Sequence, residues 1–169
     1  MNSIEEAARA IKECDALLIT AGAGMGVDSG LPDFRGQEGF WRAYPVFEKL
    51  GLAFEDLATP MRLMEDPELL WGFYAHRMKL YSDAKPHEGF KRLVAWANMN
   101  PGRKHFVYTS NVDGMFLRGG FSRENIIEVH GSIRWAQCSS GQKCGTPVWG
   151  MGFIPPVDTT TMRIEERHI

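Results

Sequence analysis

Three short stretches of this 169-residue chain carry the groups that could do chemistry. Gly22-Ala23-Gly24-Met25-Gly26 places glycines at alternate positions directly after an apolar run. In such a loop backbone N–H groups converge on phosphate, and the missing Cβ atoms let a ligand come close. The spacing is not the usual dinucleotide fingerprint: the third glycine would fall at Val27, and no acid-tipped strand follows about 20 residues on. No Gly-Lys-Ser/Thr is present either. Thr109-Ser110-Asn111-Val112-Asp113-Gly114 combines hydroxyl, amide and carboxylate groups with a good turn sequence. Glu128-Val129-His130-Gly131-Ser132 sets an imidazole, suited to general-base work near neutral pH, at the end of another apolar run. Cys138 and Cys144 add two thiols with five residues between them, too few alone for a closed structural metal site. His87, His105 and His168 lie outside these stretches and receive no role. His76 falls in a predicted helix and is read as partly exposed.

The elements that must position these groups are legible from periodicity. Ser3-Ile4-Glu5-Glu6 reads as a capping box with Ser3 as the cap, and Ile4, Ala7, Ala8 and Ile11 form one apolar helix face. Ala16 to Thr20 is continuously apolar until its end and predicts a strand buried on both faces. Asp66-Pro67 starts a helix to about Tyr81 that buries Leu70, Phe73 and Tyr74. Phe90, Leu93, Val94 and Ala97 mark another helix, stopped by Asn100-Pro101-Gly102. His105–Thr109 and Ile126–His130 predict two further strands. About 85 residues separate the first two strands, far more than a plain crossover needs, so a helical subdomain is inserted between them. Residues 145–169 show little periodicity and read as loop, with Thr159–Thr161 exposed or at an edge.

Composition bounds the partners. Hydrophobic residues make up 44% and charged residues 24%, as in ordinary folded domains, and the net charge of −2 argues against direct nucleic-acid binding. The longest apolar stretch, Ala16 to about Val27, is too short to span a bilayer. The acidic start MNSIEEAARA is unlike a signal peptide, and three cysteines do not make a disulfide scaffold, so the expected location is cytoplasmic.

Taken together, Gly22-Ala-Gly24…Ser29-Gly-Leu-Pro-Asp33-Phe34-Arg35-Gly36, Thr109-Ser-Asn-Val-Asp-Gly114 and Val129-His-Gly-Ser132 resemble, in order and spacing, the three signatures of the sirtuins. The resemblance covers residues 16 to 138. It implies an α/β fold: a Rossmann-like parallel sheet with an inserted helical subdomain and an incomplete zinc-ribbon region. In that organisation 1–37 and 86–137 form the nucleotide-binding part, 38–85 the helical insertion and 138–169 the start of the zinc module. It implies an NAD-dependent protein-lysine deacylase, acting on an acyl-lysine protein or peptide, releasing nicotinamide and passing the acyl group to ADP-ribose.

The resemblance also implies roles. Gly22, Ala23 and Gly24 would face the pyrophosphate. Asp33, Phe34 and Arg35 would cover NAD, with Phe34 shielding the ribose and Arg35 pairing with phosphate. Ser110, Asn111 and Asp113 would surround the nicotinamide ribose, and His130 would be the catalytic base. Cys138 and Cys144 would be the first half of a four-cysteine zinc site, whose second pair is missing from this sequence. The chain therefore looks like a sirtuin shortened at its C-terminus. Departures are Gly26 for the family's usual Ser, Ser110 for Gln and Phe116 for His. The Ser-Asn-Val-Asp form is similar to bacterial sirtuin-like mono-ADP-ribosyltransferases, the alternative activity. A non-catalytic NAD- or ADP-ribose-binding remnant is the other alternative.

Overall fold

The computed structural model describes residues 2–33, 36–140, 144–145 and 147–168. In chain order these form α1 (Ser3–Glu13), β1 (Ala16–Ala21), a 3-10 helix (Ala23–Ser29), α2 (Gly36–Ala43), α3 (Pro45–Lys49), α4 (Phe54–Leu57) and α5 (Pro60–Glu65). There follow α6 (Pro67–Asp83), α7 (Glu88–Ala97), β2 (Lys104–Thr109), α8 (Met115–Arg118), β3 (Ile126–Glu128), β4 (Trp135–Ala136) and β5 (Trp149–Gly150). The chain divides into an α/β unit, Met1–Ser29 with Lys85–Ser132, and a mainly helical unit, Gly30–Ala84 with Ile133–Ile169.

The α/β unit is built on a parallel sheet in the order β1-β2-β3. Ala16 pairs with Lys104 and Ala21 with Thr109, while Val107 pairs with Ile126 and Thr109 with Glu128. Ile19, Val107 and Ile126 are buried on one face, as are Phe90 of α7 and Phe116 of α8, whose rings meet edge to face at 5.0 Å. Arg103 is buried, and its guanidinium donates to the Lys12 and Cys14 carbonyls at the end of α1 and to Trp96 near the end of α7. One cation thus adds donors at two helix ends, beside the Asn100 amide on Lys12 and the Met99 N–H on Trp96.

Four readings of this unit need correction. The cap of α1 is Asn2, one residue earlier than Ser3: its side chain accepts the Ile4 N–H at 3.1 Å, and Glu5 accepts the Asn2 N–H at 3.2 Å. Asn caps as well as Ser, so the box moves by one without penalty. The Ile4 face of α1 is not buried, and Ile4 itself is 72% exposed. Nor is β1 buried on both faces: Leu18 is 66% exposed, next to exposed Phe106 and Tyr108 of β2 and Ile127 of β3. The last predicted strand also ends early, at Glu128, and the chain turns at His130.

The helical unit closes around Phe40, Tyr44, Phe47, Leu57, Leu69, Phe73 and Met162. Phe73 sits edge-on to Phe40, Phe47 and Phe54 at 5.7–6.0 Å, a favourable arrangement of ring quadrupoles. Asp66 caps α6 through the Leu69 N–H, and Pro67 opens it. The irregular segment after residue 150 is more than surface loop, because Met162 and Ile164 are buried. Asp158 and Arg163 close a tight turn, and Met162 within it has a left-handed φ of 56°. Gly72 makes room for that turn: a Cβ there would stand 2.0 Å from the Met162 carbonyl oxygen. Arg163 then forks onto both carboxylate oxygens of Asp66 at 2.6 Å. No described helix is long and apolar enough to cross a membrane.

Candidate functional site

The register of the sheet brings the three motifs to one edge. Ala21, Thr109 and Glu128 are paired neighbours across β1, β2 and β3, and each is the last residue of its strand. The residues that follow them are Gly22, Ser110 and Val129-His130. All three chemistry-bearing loops therefore leave the carboxyl end of one parallel sheet, where open α/β sheets bind their ligands.

Thr109 ties two of these loops. Its buried hydroxyl donates to the Ala21 carbonyl at 3.1 Å and accepts the Asn111 N–H at 3.0 Å. The Ser110 N–H also reaches Ala21, and the Asn111 side-chain amide donates to the Gly22 carbonyl at 2.9 Å. Gly22 faces Ser110: a Cβ on the glycine would lie 3.7 Å from the serine hydroxyl. Gly22, Ala23 and Gly24 are exposed, while Gly26 is buried. The Ala23 and Gly24 amides stand in the first turn of the 3-10 helix, where the backbone offers them no acceptor. Backbone amides of exposed residues, beside a hydroxyl and a side-chain amide, are a donor set suited to an anionic, hydroxyl-rich nucleotide.

Asp113 is only 6% exposed, and its carboxylate accepts the Met115 N–H at 2.8 Å, starting α8. Glu128 has a side chain 10% exposed, accepts from Arg123 at 3.0 Å and takes the Gly114 N–H. Burial pushes the Glu128 carboxyl above the ordinary range, against the pull of Arg123, and the nearby Asp113 charge adds to the rise. His130 is exposed at the corner of a turn closed by the Gly131 N–H on the Glu128 carbonyl, with Gly131 at φ 79°. The Val129 N–H donates to the Thr109 carbonyl at 3.0 Å, so the turn starts from a fixed point.

The other expected site residues belong to the helical unit. Asp33 is partly buried there; Phe34 and Arg35 lie outside the described residues. Cys138 is partly buried and Cys144 exposed, and neither is in a disulfide. Among the described residues no three His, Cys, Asp or Glu side chains group to hold a metal, and two thiols do not fit a four-ligand structural zinc.

Sequence reasoning missed one residue that shapes this edge and one tie across it. Thr109 heads the second stretch, but its hydroxyl's bond to the Ala21 carbonyl, 88 residues away, has no local signal. His87, given no role, contacts Met25 in the glycine loop from 62 residues away. Local spacing carries no signal for such a contact.

A parallel α/β sheet with polar loops gathered at its carboxyl end defines a nucleotide-site class of fold. Residues 22–149 match the model of the Sir2 family, and the chain belongs to that family. It is 32% identical over 159 residues to an NAD-dependent protein deacylase of Thermus thermophilus, covering 92% of this chain and 58% of that protein. A Thermococcus sibiricus protein of the same description is 35% identical over 136 residues, covering 80% and 49%. The chain thus spans about half the length of these relatives. A solved Sir2 homologue in complex with NAD superposes with a TM-score of 0.72 at 30% identity, covering 93% of this chain and 56% of that one. A mutant Sir2 homologue with ADP-ribose gives 0.73 at 29% identity, with the same coverage. The fold is the α/β, Rossmann-like fold of that family.

Proposed function

We propose that this chain carries the NAD-binding and base-supplying part of an NAD-dependent protein-lysine deacylase. The reaction moves an acyl group from a lysine of a protein or peptide to ADP-ribose and releases nicotinamide. The observation that carries this reading is the alignment of Ala21, Thr109 and Glu128, which sets the glycine loop, Asn111 and His130 at one sheet edge. The relatives named as NAD-dependent deacylases, and the neighbours bound to NAD and ADP-ribose, support it.

When bound, NAD supplies an electrophilic ribose carbon with nicotinamide as its leaving group. The Gly22, Ala23 and Gly24 amides donate to pyrophosphate. Ser110, Asn111 and Asp113 orient the nicotinamide ribose. In this reading Asp113 reaches the ligand by way of its placed loop, since its Oδ1 already holds Met115. His130, exposed and fixed on a short turn, takes the proton of a ribose hydroxyl onto its imidazole. By the family resemblance, Asp33, Phe34 and Arg35 would cover the nucleotide, with Phe34 excluding water and Arg35 pairing with phosphate. Residues 1–37 with 86–137 act as the nucleotide part, 38–85 as the insertion and 138–169 as the start of a cysteine module.

The acyl-lysine substrate fits a chain of net charge −2 better than a nucleic acid does. Three cysteines that form no disulfide support a reducing compartment, the cytoplasm. Titration with ADP-ribose, together with nicotinamide release measured with and without an acetylated peptide, tests the reading. Saturable ADP-ribose binding and peptide-dependent release are expected. Absence of both overturns it.

A further inference from the structure

His87 is seated by three separate hydrogen bonds. It is the cap of α7: its ring Nδ1 accepts the Gly89 N–H at 2.9 Å. Its Nε2 lies 3.0 Å from the Met25 carbonyl, and its own backbone N–H donates to the Ser29 hydroxyl at 3.1 Å. The partners settle the tautomer. Nδ1 faces a donor and must keep its lone pair, whereas Nε2 faces a carbonyl and must carry the hydrogen. Gly89 is what lets the ring lie there, since a Cβ at that position would stand 2.4 Å from the ring Cε1. Phe90 holds the ring from another side, centroid to centroid 4.9 Å.

Both remote partners belong to the 3-10 helix Ala23–Ser29. A helix of this kind is held weakly by its own i→i+3 bonds. We propose that His87 is a positioning residue of the nucleotide site: its Nε2–H fixes Met25, and with it the register of the Gly22–Gly24 amides. The inference rests on the reading of those amides as the pyrophosphate contact. It adds that their placement depends on an imidazole far off in sequence.

Two substitutions separate the two jobs of the ring. His87→Asn keeps a good cap for Gly89 but is too short to reach Met25. His87→Gln reaches as far as the imidazole but gives up the cap. ADP-ribose affinity, thermal unfolding and hydrogen exchange of the 23–29 amides are measured for both variants and for the wild type. Loss of one positioning hydrogen bond predicts about tenfold weaker ADP-ribose binding and faster exchange at 23–29 in His87→Asn, with unfolding near wild type. His87→Gln shows the opposite split: a lower unfolding temperature and better-kept affinity. If affinity in the two variants simply follows stability, the ring is only a cap and the proposal is overturned. If the wild type does not bind ADP-ribose, the functional reading falls. The strut is then judged on exchange alone, and unchanged exchange in His87→Asn overturns it.

Discussion

The side-chain amide of Asn111 and the carbonyl of Gly22 meet at 2.9 Å across 89 residues of sequence, joining the loop after β2 to the loop after β1. Asn111→Asp preserves shape but removes the donor and sets a carboxylate against a carbonyl. The expected cost is about 1–3 kcal/mol of unfolding free energy in the α/β unit. ADP-ribose affinity is expected to fall further than for Asn111→Ala, because the new charge repels an anion. Denaturant unfolding and ligand titration on the same samples check both. An Asp variant binding as well as the Ala variant would place the ligand away from this loop.

His130 sits exposed on a turn whose two anchors, the Thr109 and Glu128 carbonyls, are backbone atoms. His130→Ala should therefore leave the turn and ADP-ribose binding intact. Deacylation is expected to drop by roughly 10²–10⁴-fold, the usual cost of removing a general base. Single-turnover acyl transfer measures it, and turnover above about a tenth of wild type removes His130 from the base role.

Gly72 lies inside α6, where alanine ordinarily stabilises a helix by about 1 kcal/mol. Here the sign reverses, since the added methyl would sit 2.0 Å from the Met162 carbonyl oxygen. Gly72→Ala is expected to destabilise the helical unit by about 2–3 kcal/mol, within the range for overpacking. A lower unfolding midpoint checks this; a rise in stability would mean that the 158–163 turn leaves α6 freely.

The Arg163 guanidinium beside Asp66 holds that carboxyl below the ordinary aspartate range, helped by the Leu69 N–H. A depressed carboxyl contributes stability above its unfolded pKa and loses it as pH falls through the folded value. The helical unit should therefore weaken progressively below about pH 4. Arg163→Gln should be less stable at neutral pH and show a flatter acid limb. Both partners are partly exposed, so salt should shrink the difference. Unfolding midpoints from pH 7 to pH 3 decide it; parallel curves for the two proteins would contradict the linkage.

The sheet-edge site was legible because each motif is local: a glycine run, an Asn-Val-Asp-Gly turn and a Val-His-Gly turn each follow an apolar strand. Strand burial was not. Leu18 reads as core from its neighbours, but whether its face is covered depends on which elements pack there, and periodicity is blind to that. Met162 and Ile164 were likewise unreadable, because a single turn inserts them and no repeat announces it. His87 looked like an ordinary polar residue before a helix. Its cap bond is local, but its bond to Met25 spans 62 residues.

Leu18, Phe106, Tyr108, Ile127 and Val129 lie exposed on the sheet strands and just beyond β3, and among the described residues the outer strands β1 and β3 each pair on one side only. Parallel sheets normally hide both faces, and bare apolar faces with open edges invite association. For this chain, the expected outcome is an apparent stability of the α/β unit that rises with protein concentration. Melting temperatures across a dilution series check it, and a midpoint independent of concentration contradicts it.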